Sequence, residues 1–131
     1  MSENDCSFPL HPEAMRGIAL FNAGEYFEAH EALETAWRAE PGPIRELYQG
    51  ILQVAVTYLH IQRGNYGGAM KVSARCKLKL DKWPATCRGV DVAALRRDLA
   101  SVMEELTHLG PERIRAFDAG LFGKIEVKRE E

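Results

Sequence analysis

Apolar residues recur along the chain at the three-and-four spacing of helices that face a shared core, and no segment alternates like a half-buried strand. The spacing predicts a first helix from Pro12, a residue suited to the opening turn, to about Asn22, with Gly24 as its stop. A second helix runs from about Tyr26 to Arg38 and is closed by Glu40-Pro41-Gly42-Pro43. The third extends from about Ile44 to Arg63 and stops at Gly64-Asn65, and the fourth from about Gly67 to Lys82, ahead of Pro84. Asp91 is placed to cap a fifth, Val92 to Leu109, whose apolar stripe is Leu95, Leu99, Val102, Met103 and Leu106. Gly110-Pro111 ends it, and a short helical turn follows. The expected architecture is all-α: a compact bundle of about five helices, built from antiparallel helical hairpins, with a short C-terminal tail. It forms a single domain over 1–131, with residues 1–10 and 123–131 expected as flexible ends.

Two segments echo each other 40 residues apart: Gly24-Glu25-Tyr26-Phe27-Glu28-Ala29 and Gly64-Asn65-Tyr66-Gly67-Gly68-Ala69 share the pattern G-x-Y-x-x-A. Glycine permits a left-handed cap, tyrosine packs across a corner, and alanine lets two helices approach. The pattern is similar to the turn of tetratricopeptide-type hairpins, although two copies do not make a solenoid. The third helix is apolar around most of its circumference, which marks it as the centre of the bundle. Its single polar stripe carries Glu46, Gln49, Gln53, Thr57 and His60.

The chemistry concentrates on the second helix. Tyr26, Leu33 and Trp37 fall within about 60° of His30 on one side of the helix, and Phe27 and Glu34 within about 60° on the other. A histidine therefore interrupts an apolar stripe, with a glutamate one turn away. Removing both from water is costly without partners. In an antiparallel hairpin closed by Pro-Gly-Pro, residues of the second and third helices whose numbers sum to about 82 stand at one height. His30 then lies near Leu52 and Gln53, and Glu34 near Tyr48 and Gln49. The expected cluster of His30, Glu34, Gln49 and Gln53 is either a saturated internal network or a site, with Tyr26, Trp37 and His60 as further binding candidates. His30 and Glu34 are the candidates for acid–base catalysis, since a carboxylate orients an imidazole and raises its basicity. With His60 they are also the candidate ligands of a divalent metal, because His and Glu at i and i+4 can reach one ion. No other cofactor is indicated. His30-Glu31-Ala32-Leu33-Glu34 has only part of a zinc-peptidase motif, and Glu31 points about 100° away from His30. No Gly-x-Ser-x-Gly elbow and no phosphate-cradling glycine loop occurs.

Composition narrows the class. The chain carries 17 basic against 19 acidic residues, so nothing global points to nucleic acid or to an anionic membrane. No apolar run is long enough to span a bilayer, and the acidic N-terminus lacks the features of a secretory signal. Three cysteines, Cys6, Cys76 and Cys87, lack metal-ribbon spacing; Cys76 sits on an apolar stripe, Cys6 and Cys87 read as loop residues, and reduced thiols in the cytoplasm are expected. Charge is uneven along the chain: residues 25–46 hold six acids against two bases, and residues 71–88 six bases against one acid. Lys71, Arg75, Lys79 and Lys82 share a helix face suited to an acidic protein partner or to the acidic helix of a second copy, and a homo-oligomer, first of all a dimer, is expected.

The segments FNAGEYFEAHEALETAW, LYQGILQVAVTYLHIQRGN and GAMKV, from about Phe21 to Trp83, resemble the bacterial and archaeal family known as domain of unknown function number 309. Its signature run Y-F-E-A-H-E-x-L-E-x-x-W stands here intact, and the family pattern includes Glu28, His30, Glu31, Glu34, Trp37, Gln49, Gln53, His60 and Asn65. The resemblance implies an all-α bundle and no particular activity. Together these features describe a small binding or interaction module with a His/Glu/Gln cluster, or alternatively an enzyme using the same cluster.

Overall fold

Gly24 and Gly64 adopt φ of 81° and 72°, a region a Cβ disfavours, and at each the chain reverses into a new helix. In the computed structural model, which describes residues 4–128, a short α1 (Asn4–Ser7) precedes α2 (Pro12–Asn22), α3 (Tyr26–Ala39), α4 (Arg45–Gln62) and α5 (Tyr66–Leu80). A small hairpin of β1 (Thr86–Cys87) and β2 (Val90–Asp91) leads into α6 (Val92–Leu109), and two 3-10 turns, Pro111–Ala116 and Ala119–Leu121, follow. Helices α2 to α5 pack each against the next, and α6 lies against α5. The fold is the all-α bundle of hairpins that the apolar spacing predicts, with the five long helices bounded within about two residues of expectation. Asp91 caps α6 as anticipated, its carboxylate accepting from the Ala94 N–H at 3.0 Å.

The repeated G-x-Y-x-x-A corners work as their composition suggests. Ala29 and Ala69 are fully buried. Tyr26 packs edge-on against Phe21 and Tyr58, with ring centroids 5.2 and 5.5 Å apart. On α4, Leu47, Tyr48, Ile51, Val54, Ala55 and Tyr58 are all completely enclosed. Helix α5 approaches α4 closely at Gly50, where a Cβ would come within 3.0 Å of Leu80 Cδ2, and the Cys76 thiol donates to the Gly50 carbonyl at 3.2 Å. Burial pushes the Cys76 thiol well above its ordinary range, so it stays neutral and inert.

Three features depart from the sequence reading. Cys6 and Cys87, expected as reduced loop thiols, form a disulfide with Cα atoms 4.4 Å apart, and the Arg88 N–H donates to the Cys6 carbonyl. The turn that presents Cys87 forms a strand pair too short to show any alternation. The segment 123–128, expected as a flexible tail, makes specific long-range bonds. Asn22 exchanges two hydrogen bonds with the Ile125 backbone, at 2.8 and 2.7 Å, and Val127 bridges to Val90. Just ahead of it, Phe122 stacks on Tyr58 at 4.4 Å. The remaining terminal positions of the two expected flexible ends, 1–3 and 129–131, lie outside the described residues.

Two stability predictions follow from these contacts. The disulfide closes a sequence separation of 81 residues. The chain-entropy account assigns a loop of that size roughly 4–5 kcal/mol. Thermal melts with and without a dithiol reductant should therefore differ by on the order of 15 °C, and Cys6→Ser should reproduce the reduced curve. Burial beside Gly123 raises the Asp98 carboxyl pKa, so folding disfavours its charged form. That penalty is full at neutral pH and vanishes as pH falls through the raised folded pKa. Asp98→Asn should stabilise the fold at pH 7 and leave it unchanged below the carboxylate range, as read from urea midpoints at both pH values.

Candidate functional site

Helix α3 turns one edge of its apolar stripe toward solvent, and His30, Glu34 and Trp37 lie on that edge, half-buried. His30 Nε2 stands 3.4 Å from Glu34 Oε2, and Arg38 Nη2 is 2.7 Å from Glu34 Oε1. The three form a ladder at i, i+4 and i+8 in which the carboxylate is shared between two cationic or potentially cationic partners. Side-chain exposures of 28% for His30 and 34% for Glu34 show that neither is sealed in the core. The polar intrusion on the apolar face is thus met locally, by the helix itself.

The register of the α3–α4 hairpin is as the Pro-Gly-Pro connection predicts. The Arg45 guanidinium lies 4.9 Å from the centroid of the Trp37 ring, and these two numbers sum to 82. Glu46 and His60 of the α4 polar stripe nevertheless meet α5 and its corner. Glu46 accepts from Lys79 Nζ at 2.8 Å, the Thr57 hydroxyl donates to the Gln53 carbonyl at 2.8 Å, and His60 Nδ1 meets Asn65 Nδ2 at 3.1 Å beside the Gly64 corner. Among the described residues no hydrogen bond joins His30 or Glu34 to Gln49 or Gln53, so the expected four-residue network is not assembled. Gln53 Oε1 is buried with no partner. Tyr26, a binding candidate by sequence, belongs to the aromatic core. His60 stands about 10 Å along α4 from Gln53, two turns from the level of His30, and among the described residues no group of three metal-binding side chains converges.

What the fold does create is a cleft of about 510 Å³ at the α3–α4 corner, lined by Trp37, the loop Pro41-Gly42-Pro43, Arg45, Glu46, Gln49 and Lys79. It joins an aromatic face, an amide and two cations. Lys79 is neutralised by Glu46, whose carboxyl that hydrogen bond holds below its ordinary range. Arg45 is exposed and has no carboxylate within salt-bridge distance among the described residues. Sequence reasoning selected Trp37, Gln49 and Lys79 but missed Arg45 and the loop. The signal was there in Pro41-Gly42-Pro43, whose two prolines fix φ and offer no N–H.

A second cleft, of about 630 Å³, lies between the N-terminal segment and the β1–β2 hairpin, with the Cys6–Cys87 bond in its wall and Phe8, Met15 and Arg88 among its lining. Arg88 acts as a post there: its Nη1 donates to the Tyr48 hydroxyl at 3.1 Å and lies 3.8 Å from Glu40. Nothing in the spacing of the cysteines announced this cleft.

Residues 14–72 match the model of the family described as "Domain of unknown function (DUF309)". The matched segment runs from α2 into α5 and holds Tyr26, His30, Glu34, Trp37, Gln49, Gln53 and His60. The chain is 33% identical over 85 residues to the uncharacterized protein YpuF of Bacillus subtilis (strain 168), covering 63% of this chain and 49% of that one. It is 26% identical over 84 residues to an uncharacterized protein of Aquifex aeolicus (strain VF5), covering 63% of this chain and 25% of that one. The chain thus spans half or less of the length of these relatives.

Stability measurements separate a supporting network from an open edge. His30→Ala and Glu34→Gln should each cost less than about 1 kcal/mol, because exposed helical ion pairs contribute little. Gln53→Leu should be neutral or stabilise by up to about 1 kcal/mol, since it removes a buried acceptor that has no partner. A loss of more than about 2 kcal/mol for His30→Ala, from urea denaturation, would show that the imidazole anchors the core after all.

Proposed function

We propose that the domain is a binding module that takes an extended polypeptide segment carrying an acidic side chain in the α3–α4 corner cleft. The observation that carries this reading is the cleft's composition. Trp37 supplies an aromatic face, Gln49 an amide that can donate to and accept from a passing main chain, and Arg45 a guanidinium without a carboxylate partner. Acid–base or metal-assisted chemistry would instead fall on His30 and Glu34, a pair the Arg38 guanidinium already engages. The cytoplasm is the proposed setting; there the Cys6–Cys87 bond would exchange with cellular dithiols. No described helix is long and apolar enough to cross a membrane.

Trp37 and Trp83 are the two tryptophans, and Trp83 is 3% exposed, so changes in fluorescence on binding report chiefly on Trp37. Panning a randomised peptide library against the immobilised domain should enrich acidic sequences. The selected peptides should perturb Trp37 emission and lose at least about tenfold in affinity with Arg45→Ala or Gln49→Ala, while His30→Ala changes little. Absence of enrichment, or selected peptides that bind Arg45→Ala and Gln49→Ala as tightly as the parent, would sink the proposal.

A further inference from the structure

Large apolar side chains are exposed at only three described positions, Phe8, Phe27 and Leu78. Two of them stand on the outer faces of α3 and α5. On α3 the stripe Phe27, Glu31, Glu34, Arg38 repeats at intervals of four, three and four residues. On α5 the stripe Lys71, Arg75, Leu78, Lys82 has the same intervals and ends two residues past the helix. Each stripe is one face of its helix. Phe27 is 45% exposed, beside Glu28 and Glu31, and Leu78 is 69% exposed, beside Arg75 and Lys82, with Asp81 of the same turn paired to Lys77.

Glu34 and Arg38 pair with each other inside the molecule, but most of the flanking charges do not. Lys77 pairs with Asp81 at 2.7 Å and Lys79 with Glu46 at 2.8 Å. Lys71, Arg75 and Lys82 make no ion pair among the described residues, and neither do Glu25, Glu28 and Glu31. Two helices laid antiparallel put residues of constant number sum side by side. With Phe27 opposite Leu78, that sum is 105. The same register sets Glu34 opposite Lys71, brings Glu31 to within one residue of the level of Arg75, and carries Arg38 past the side-chain-free Gly67. The pairs Glu31–Arg75 and Glu34–Lys71 are attractive in this register, and the apolar pair is covered at the same time.

We propose that the outer faces of α3 and α5 are complementary docking surfaces for copies of this chain, with Phe27 of one copy covering Leu78 of the next and Glu31 facing Arg75. This interface is separate from the corner cleft, so it stands or falls independently of peptide binding there. Sedimentation equilibrium of the full chain across the micromolar range, at low and high salt, tests it. Association is expected, weakened as salt rises. Arg75→Glu alone and Glu31→Arg alone should each weaken it by about tenfold or more, and the chain carrying both should recover it, because the pair is then restored with reversed sign. Leu78→Ser should also weaken it, with the helical circular-dichroism signal unchanged because Leu78 is exposed. A monomer throughout the concentration range, association unaffected by the single reversals, or a double reversal no better than either single would each overturn the proposal.

Discussion

The burial of α4 is the constraint on which the rest of the structure depends. Leu47, Tyr48, Ile51, Val54 and Tyr58 are wholly enclosed, and each such large side chain contributes about 1.5–3 kcal/mol by leaving water. One helix can be covered so completely only if neighbours pack on several sides, which α3 and α5 do through tight corners. Tyr48 extends the arrangement, since its hydroxyl accepts from the His11 N–H at 3.0 Å and from Arg88 at 3.1 Å. One buried phenol thus ties the start of α2 and the β1–β2 turn to the central helix.

The polar residues of α4 follow from the same geometry. A helix flanked by two others keeps one narrow strip at its edge, and Glu46, Gln49, Gln53 and His60 occupy it. Each is handled differently: Glu46 by a lysine of α5, His60 by the corner asparagine, Gln49 by the cleft, and Gln53 Oε1 by nothing at all. His30 and Glu34 sit on the edge of α3, where exposure lets an i, i+4 ladder satisfy them at little cost. The site with unspent polar groups is therefore the corner beside them, where Arg45 lies over the Trp37 ring and the Pro41-Gly42-Pro43 loop forms part of the wall.

The N-terminal segment and residues 117–128 behave as straps across this bundle. Phe122 lies flat on Tyr58, Asn22 grips the Ile125 backbone, and the Cys6–Cys87 bond fastens the other end. All of these join residues remote in sequence, and all rest on groups that are locally unremarkable: one asparagine, one phenylalanine in a glycine-rich stretch, and two well-separated cysteines.

The helices were legible in the sequence because a helix is a local object. Its apolar period, its Asp91 cap and its Gly24 and Gly64 stops are set by residues within a few positions of one another, and so was the α3–α4 register, through Pro41-Gly42-Pro43. Which way a polar stripe faces is different, because rotating α4 by a fraction of a turn exchanges α3 for α5 as its neighbour. That choice depends on the whole packing of the bundle, and among the described residues it leaves Gln49 and Gln53 with no hydrogen bond to His30 or Glu34. The disulfide, the C-terminal strap and the convergence of Trp37, Arg45 and Lys79 on one cleft were likewise decided only by tertiary structure. Each joins chain segments that no local pattern connects, and the folded core alone brings them within reach.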